Sequence, residues 1–268
     1  MATIASVKAP RIQSLARASA IMDVVAAGPE SGVGLSEISK TTGLNKTTAF
    51  NLLGSLVALR LIEQDSNTRC YRLGLKLLEL GRLVQERLHI SHVARPILVD
   101  LCRKTNETVN LGLPDLLDLL VTESFQGNRI LHARANAGWR CHYHSTALGK
   151  AFMAAWDEPM RQAIYNSCGL TEETSNTITA VDDLEAQLAR FRQQGYSVDI
   201  EENESGVNGI ARWIVDGMGE VAAAVSVSGH ANRLTKEMME RIAPDVINAA
   251  DAIADAIGGS EKADDHSA

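Results

Sequence analysis

Two short helical patterns on either side of one glycine, within residues 35–61, constrain the fold more than any other feature of the chain. Apolar side chains recur at helical spacing before and after Gly43, and Ser36 is placed to cap the first helix. Gly43 allows a sharp bend, after which Asn45 or Lys46 begins the second helix. The pattern predicts a helix-turn-helix; the alternative is a plain helical hairpin with a solvated polar face.

The second of these helices has a predicted buried stripe and an outward face. The expected buried positions are Ala49, Leu52, Leu53, Leu56 and Val57. The positions left on the outer face near the N-terminus are Lys46, Thr47, Thr48, Phe50 and Asn51. A recognition helix offers such positions to the major groove of DNA, so these five side chains are candidate DNA contacts.

A short hairpin is predicted directly after the helix pair. Residues 60–65 and 69–73 have strand-like patterns separated by a turn-forming Ser-Asn pair. Such a hairpin is a wing, and Arg69 and Arg72 on it are placed to contact DNA phosphates.

A further helix is predicted upstream. Ser14 is expected to cap it, and it ends at about Ala27, before a Gly-Pro pair. Arg17 lies off its apolar face, where it is either a phosphate contact or a solvated surface arginine.

The charge of the chain is divided unevenly. Residues 1–76 carry nine basic and five acidic side chains, a net charge of +4, which leaves −11 for the remainder of a chain whose formal charge is −7. A basic N-terminal part on an acidic body suits a protein that brings one end to DNA. Four scattered cysteines without a CxxC pair argue against a disulfide framework or a zinc ribbon.

The segments after the wing predict a connecting helix and a second domain. Residues 74–88 form a helical pattern whose leucines cover more than one face. We expect a linker helix that packs on its own DNA-binding domain and on a second subunit; the alternative is that the C-terminal domain covers it. Alternating patterns predict strands at 108–113, 117–121, 129–133, 197–200, 209–215 and 221–228. With helices between the third and fourth strands and after the last, this order predicts an α+β domain with one antiparallel sheet.

Motifs of catalysis are absent from the sequence, which has no G-x-S-x-G elbow, phosphate-binding glycine loop or dinucleotide fingerprint. We therefore expect neither enzyme activity nor a cofactor. On a strand, His142 and His144 would point to one face, and with His132 they are a candidate three-nitrogen metal site. No carboxylate or thiol at a ligand spacing completes it, so the preferred interpretation is that these histidines line a pocket wall or pair with backbone groups.

Taken together, the chain resembles an IclR-family transcriptional regulator. The N-terminal resemblance runs from SLARASAIMDVV to LKLLELG, and the C-terminal one rests on HSTALGKAFMA, GYSVDIEENESGVNGIA and VAAAVSVSGHANRLT. It implies a winged helix-turn-helix, a linker helix and a GAF-like effector-binding domain, acting as a homodimer or a dimer of dimers on double-stranded DNA. A dimer predicts a pseudo-palindromic operator.

The resemblance also implies an effector pocket between the Ala147-Leu148-Gly149 turn, the acidic segment and the final strand. Helix amides there would face an acidic ligand. Carried over by motif, the expected effector-binding residues are His142, Leu148, Gly149, Asp199, Gly209, Ile210, Ser226 and Ser228. The two serines are two positions apart on a strand, so both hydroxyls face one side.

Departures from the family pattern refine the expected ligand. Gly209 stands where the family commonly has cysteine, and Arg212-Trp213 stands where a small residue and proline are usual. The side chains expected near the space at Gly209 are Trp139, His142, Trp213 and Arg134. This predicts room for a ring, and hence a small organic acid that is aromatic rather than a short keto acid.

The recognition helix also departs from the family pattern. Phe50-Asn51 stands where the family usually has histidine or tyrosine together with arginine. Asparagine can read adenine where arginine would grip phosphate or guanine. The expected function is an effector-responsive repressor of catabolic genes; the alternatives are an activator of the same type, or a metabolite-binding enzyme with a helical appendage.

The sequence also predicts boundaries and a location. No apolar run approaches the roughly 18 residues of a membrane span, and the first ten residues lack a signal-peptide core, so a cytoplasmic protein without a membrane partner is expected. The expected divisions are a flexible tail at 1–13, the DNA-binding domain at 14–73, the linker helix at 74–89, the effector-binding domain at 90–258 and a flexible tail at 259–268.

Overall fold

The chain has two compact units, each with its own core. The computed structural model describes residues 10–87, 89–129 and 136–258. Described residues up to 87 belong to the N-terminal unit, and those from 89 belong to the C-terminal unit.

The N-terminal unit is a helix-turn-helix with a wing. Its elements are α1 Gln13–Ala26, α2 Leu35–Thr42, α3 Lys46–Ala58, β1 Ile62–Gln64, β2 Tyr71–Leu73 and α4 Leu75–Arg87. Gly43 ends α2 in the left-handed conformation (φ 68°), and the Asn45 side chain caps α3 by accepting a hydrogen bond from the Thr48 amide (2.8 Å). The predicted helix pair, glycine turn and hairpin are confirmed.

Two predicted caps and one predicted core residue of this unit are wrong. α1 begins after Ile12 and α2 after Gly34, neither with a side-chain cap bond, so Ser14 and Ser36 lie inside the helices. Val57 is exposed, because Ala49, Leu53 and Leu56 form the stripe that faces the core and Val57 lies beside this stripe rather than on it. The buried core consists of Ile21, Val25, Val33, Ile38, Leu53, Leu56, Ile62 and Tyr71.

The C-terminal unit is a six-stranded antiparallel sheet with helices on both faces, which confirms the predicted α+β class. Its elements are α5 His89–Thr105, β3 Thr108–Asp115, β4 Asp118–Phe125, β5 Arg140–Cys141, α6 Ala147–Ala155, α7 Glu158–Cys168, α8 Val181–Gln194, β6 Ser197–Ile200, β7 Val207–Val215, β8 Val221–His230 and α9 Lys236–Ala256. The strand order is β5-β4-β3-β8-β7-β6.

Alternate side chains of each sheet strand point to opposite faces of the sheet, where they pack in two different apolar clusters. On β8, Val225 and Val227 pack in a cluster with α5 and α9, whereas Ala224 packs in a second cluster with α6, α7 and α8. Ser226 lies between the two valines in sequence and therefore shares the α6 side of the sheet with Ala224.

The region between β4 and α6 differs from the sequence prediction. Arg129 is not in a strand, and the rest of the strand predicted at 129–133 lies outside the described residues. His132 and Arg134 also lie outside them. Strand β5 was not predicted, and it ends at Cys141, so His142 and His144 are in a turn rather than on a strand. Within the described ranges, no helix has the length and apolar character needed to cross a bilayer.

Candidate functional site

Helix α3 presents a continuous exposed stripe. Its core face is formed by Ala49, Leu53 and Leu56, which are buried. On the opposite side, Thr47, Phe50, Asn51 and Gly54 follow one another at the i, i+3, i+4 and i+7 spacing of one helix face. Phe50 is 56% exposed, which is unusual for a phenylalanine that has no role outside its own fold.

Gly54 belongs to this stripe but was not identified from the sequence. A Cβ at Gly54 would meet no atom within 4 Å, so no contact inside the unit requires a glycine. Glycine inside a helix costs roughly 1 kcal/mol relative to alanine. The signal was available, since a glycine within a helical pattern that needs no bend suggests close approach by another molecule.

The other candidate DNA contacts lie on α1, at the start of α3 and on the wing. Lys46 is exposed at the first position of α3, and Thr48 is half-buried with its amide bound to the Asn45 side chain. Arg69 and Arg72 are exposed on the wing, and Arg17 is half-buried on α1. The wing arginines and α3 therefore offer cations and hydrogen-bonding groups on one unit.

Two substitutions should separate backbone from base contacts. Lys46→Ala is expected to weaken binding to every DNA sequence and to lower the salt slope of log K by about 1, because a lysine neutralises a phosphate. Asn51→Ala is expected to lose about 1–3 kcal/mol of the binding free energy that discriminates between bases, and only at one base pair of the operator. Filter binding at several salt concentrations, with operator and scrambled DNA, distinguishes them. A cation at a helix N-terminus is unfavourable, so the melting temperature should not fall in Lys46→Ala.

In the C-terminal unit, strand register places polar side chains in two parallel rows on the α6 side of the sheet. The first polar row runs across β6, β7, β8 and β3 as Asp199, Gly209, Ser228 and Thr108. The second polar row continues into β4 as Ser197, Ala211, Ser226, Asn110 and Ser124. Directly paired residues on antiparallel strands project from the same face, so each row is a line of neighbouring side chains.

The first turn of α6 covers these rows. A Cβ at Gly209 would lie 3.1 Å from the Ala147 Cβ, and one at Gly112 would lie 3.3 Å from a Leu148 methyl, so the helix start spans from β7 to β3. Ser197 Oγ donates a hydrogen bond to the Ala147 carbonyl (2.7 Å), which fixes this position. The Ala147 and Leu148 amides have no acceptor within the helix, and they carry the partial positive charge of its N-terminus.

Beneath this turn, two buried polar atoms have no hydrogen-bond partner among the described residues. They are Asn110 Oδ1 and Ser226 Oγ, on side chains that are 3% and 1% exposed and that face each other in the second polar row. Buried polar atoms are nearly always satisfied in folded proteins, and each orphan requires an explanation. A bound polar ligand is such an explanation.

A buried charge cluster adjoins the first polar row. Lys150 on α6 is fully buried, and its Nζ lies 2.6 Å from Glu202 Oε1 and 3.1 Å from Gln187 Oε1. Asp199 is also buried, and its Oδ1 accepts a hydrogen bond from the Glu202 amide (2.7 Å). One cation thus faces two carboxylates in an apolar interior.

Burial governs the protonation of this cluster. Desolvation raises the pKa of Asp199 to about 7, although the Lys150 charge and the Glu202 amide oppose the shift, while Glu202 acts in the same direction as burial. Desolvation also lowers the pKa of Lys150, against the attraction of Glu202 and Asp199. Between about pH 4 and pH 7, the folded protein therefore keeps an Asp199 proton that the unfolded chain releases.

This difference predicts a pH-dependent stability that Asp199→Asn removes. The folded state binds the extra proton, so wild-type stability should fall as pH rises from about 4 to 7. Asparagine keeps an oxygen for the Glu202 amide but carries no charge, so the variant should gain up to about 4 kcal/mol at pH 8 and little at pH 4. Thermal unfolding across this pH range measures the difference in stability. Asp216→Asn is the control, because Asp216 lies in a turn where its carboxylate accepts hydrogen bonds from backbone amides.

Among the expected effector-binding residues, the structure brings together Asp199, Gly209, Ser226 and Ser228. Leu148 lies above them but packs in the apolar core of this side. Gly149 was expected to offer a free amide, but Thr146 Oγ1 already accepts that hydrogen bond (3.0 Å). Gly149 is required for packing instead, because a Cβ would overlap the backbone of His142 and Tyr143.

Other expected residues lie elsewhere. The Ile210 side chain is in the cluster with α5 and α9, on the opposite face of the sheet, because it alternates with Gly209 and Ala211. Trp213 is four residues from Gly209, about 13 Å along β7, and its ring stacks on the Arg212 guanidinium at 4.0 Å. His142 is half-exposed, with Nε2 3.3 Å from Glu173 Oε1.

The predicted room for a ring at Gly209 is therefore wrong. Ala147 occupies the space that the absent side chain leaves, at 3.1 Å from the position of a Cβ. Trp139, which was expected to stack on such a ring, is 42% exposed.

The candidate histidine metal site required His142 and His144 to lie on one strand. They lie in a turn after β5 instead, so the expected geometry is absent. Their ring centroids are 5.8 Å apart, and His144 Nε2 lies 2.8 Å from the Thr171 carbonyl. No group of metal-binding side chains occurs within the described ranges.

Sequence reasoning missed Thr108, Asn110, Lys150 and Glu202. The sequence did contain a signal for Lys150, which is the one charged residue in the otherwise apolar segment ALGKAFMAA. A helix that is apolar on all sides is buried, and a buried lysine requires an acidic partner. Asn110 could not be found in this way, since its pairing with Ser226 follows from strand order.

A winged helix-turn-helix with an exposed recognition stripe, joined in one chain to an α+β unit with a buried polar site, defines a DNA-binding transcriptional regulator. Residues 14–66 match the model of the IclR helix-turn-helix domain, and residues 83–255 match that of the bacterial transcriptional regulator IclR C-terminal domain. The chain belongs to the IclR family.

Individual relatives extend over nearly the whole chain. The HTH-type transcriptional regulator XynR of Escherichia coli is 32% identical over 249 residues, covering 93% of this chain and 98% of that protein. The transcriptional repressor IclR of Escherichia coli is 28% identical, covering 93% and 91%. The crystal structure of Thermotoga maritima IclR has a TM-score of 0.74 at 30% identity, covering 91% of this chain and 98% of that one. These relatives are transcriptional regulators, not enzymes.

Proposed function

We propose that this regulator is a repressor of catabolic genes whose DNA binding responds to a small organic acid bound in its C-terminal unit. The observation that carries the effector proposal is the pair of buried, unpartnered atoms, Asn110 Oδ1 and Ser226 Oγ, beneath the first turn of α6. The Ala147 and Leu148 amides, with the dipole of α6, are suited to the acid group. A similar protein, IclR of Escherichia coli, is named a repressor.

In this proposal the acid binds at the first polar row, with Ser228 Oγ as a hydrogen-bond donor. Asp199 would orient a hydroxyl or a serine rather than pair with the acid. The ligand can change DNA affinity only by as much as it prefers one arrangement of the regulator over another.

The proposed DNA-bound form is a cytoplasmic homodimer, or a dimer of dimers, on a pseudo-palindromic operator. Exposed leucines on α4 support it, because Leu75, Leu78 and Leu83 are more than half exposed in the N-terminal unit. One winged helix reads too few base pairs for tight specific binding.

The test is a gel shift on the DNA upstream of the gene, with and without aliphatic and aromatic acids that first stabilise the protein in a thermal-shift screen. Release of DNA by a stabilising acid supports the repressor proposal, and strengthened binding supports an activator. Binding that ignores DNA sequence, or is absent at low salt, contradicts operator recognition.

A further inference from the structure

Phe50 is an apolar side chain between two hydrogen-bonding ones. On the exposed stripe of α3, it lies one turn after Thr47 and directly before Asn51. Among the described residues, it belongs neither to the buried core of the N-terminal unit nor to the partly buried side chains that pack against that core. The fold of this unit therefore does not account for an aromatic ring at this position.

The direction of helical side chains brings the ring to the end of α3 that enters DNA. Side chains on a helix lean toward its N-terminus, and the first turns of a recognition helix contact base edges. Phe50 is the fifth residue of α3, which begins at Lys46. One turn later the stripe continues at Gly54, where a Cβ would be in open space. No side chain at Gly54 holds the helix away from DNA, so the Phe50 ring can reach the floor of the major groove.

The floor of the major groove offers one group that suits such a ring. The base pairs present hydrogen-bond donors and acceptors there, and the C5 methyl of thymine is the apolar group among them. A phenylalanine ring cannot form hydrogen bonds with a base edge, so against the polar edges it would displace water without replacing its hydrogen bonds. Asn51, the next residue, carries the carboxamide that pairs with adenine N6 and N7.

We propose that Phe50 determines specificity for a thymine by packing its ring on the C5 methyl, in the base pair next to the adenine bound by Asn51. Consecutive residues of a helix point about 100° apart, so these two side chains diverge toward neighbouring base pairs. The proposal rests on the DNA-binding function of the chain, and it assigns two adjacent base pairs of the operator.

Replacement of single thymines by deoxyuridine tests this contact, because uracil keeps the hydrogen-bonding groups of thymine and lacks only the methyl. The probes are duplexes of the shortest upstream fragment that the full-length regulator protects from nuclease, and fluorescence anisotropy measures Kd. In wild type, replacement at one thymine position should weaken binding about fourfold, the factor expected for one buried group of this size. In Phe50→Ala, the same replacement should leave Kd unchanged.

A methyl on a different base provides the reciprocal test. Exchange of the sensitive T·A pair for C·G should weaken wild-type binding, and 5-methylcytosine at that position should recover about fourfold of the loss, because it restores the methyl. Phe50→Ala should show no recovery. Asn51→Ala should keep the sensitivity to uracil, while its own loss of discrimination should map to the adjacent pair.

Leu59→Ala is the matched control for removal of an exposed apolar side chain. Leu59 is 63% exposed and directly follows the last residue of α3, at the opposite end from Lys46. Its truncation should change neither Kd nor the sensitivity to uracil. Phe50→Ala should keep the melting temperature and sedimentation coefficient of wild type, because the ring lies outside the core.

Three outcomes overturn the methyl contact and leave sequence-specific DNA binding in place. They are a wild type that is insensitive to uracil at every thymine, a Phe50→Ala protein that binds more weakly but keeps the sensitivity, and a Phe50→Ala protein with an altered oligomeric state, which would assign the ring to a contact between subunits. A sensitive thymine that is not adjacent to the pair mapped with Asn51→Ala overturns the assignment to neighbouring pairs. A wild type that binds operator and scrambled DNA equally overturns operator recognition, and the methyl contact with it.

Discussion

Replacing Lys150 with methionine is expected to destabilise the C-terminal unit by about 3–5 kcal/mol, because it leaves Glu202 as an unpaired charge in the interior. Glu202 is only 4% exposed, and its Oε2 lacks a partner among the described residues. The Gln187 Nε2 contact to Oε1 is long (3.5 Å) and carries no charge, so it replaces the lysine poorly. For a unit of this size, the loss corresponds to a fall of roughly 6–20 °C in melting temperature. Thermal and urea unfolding at pH 7 measure it.

The matched control is Lys104→Met, the same substitution at an exposed ion pair on α5, where Lys104 lies 3.0 Å from Asp100. A surface pair spaced i, i+4 is worth only about 0.3–0.5 kcal/mol. Combining Lys150→Met with Glu202→Gln should recover much of the loss, because no lone charge then remains. If Lys150→Met costs no more than Lys104→Met, the buried pair is not what holds α6 to the loop after β6.

Leu78→Asp is expected to convert the regulator to monomers and to lower operator affinity by at least about 100-fold. Leu78 is 70% exposed on α4, and a charge there opposes burial against a second subunit. Linking two DNA-binding units raises affinity by roughly 10²–10⁴ through effective concentration alone, and a monomer forfeits that gain. Sedimentation velocity and gel shifts, each over a concentration series, measure the two effects.

Met218→Asp is the control, since Met218 is 83% exposed in a turn of the C-terminal unit and should change neither property. Unchanged circular dichroism of Leu78→Asp would show that α4 still folds. A monomeric wild type that binds its operator specifically would contradict the dimer. A Leu78→Asp protein that stays dimeric would contradict an interface through α4.

The fold was more predictable than the site because its signals are local. The glycine turn at Gly43, the start of the second helix at Asn45 or Lys46 and the apolar periods of the helices are readable within a few residues, and all appear in the structure. The failures at Ser14 and Ser36 are also local, because a serine that can cap a helix need not be the residue where the helix begins.

The proposed effector site depends on contacts that local patterns do not encode. Ser226 and Asn110 are 116 positions apart and meet only because β8 lies beside β3. The space inferred at Gly209 was filled by Ala147 on another element, and the assignment of Ile210 failed because adjacent residues of a strand face opposite sides.

The unsatisfied atoms of the second polar row have a consequence for how long each molecule survives. An unpartnered buried group costs about 1–3 kcal/mol, and a ligand at 100 times its Kd stabilises the folded state by about 2.7 kcal/mol. Cellular proteases degrade the unfolded fraction, so differences of this size alter abundance several-fold. We therefore expect the effector to lengthen the lifetime of the regulator as well as to change its DNA affinity. A cell rich in the metabolite would then hold more copies of the protein that senses it.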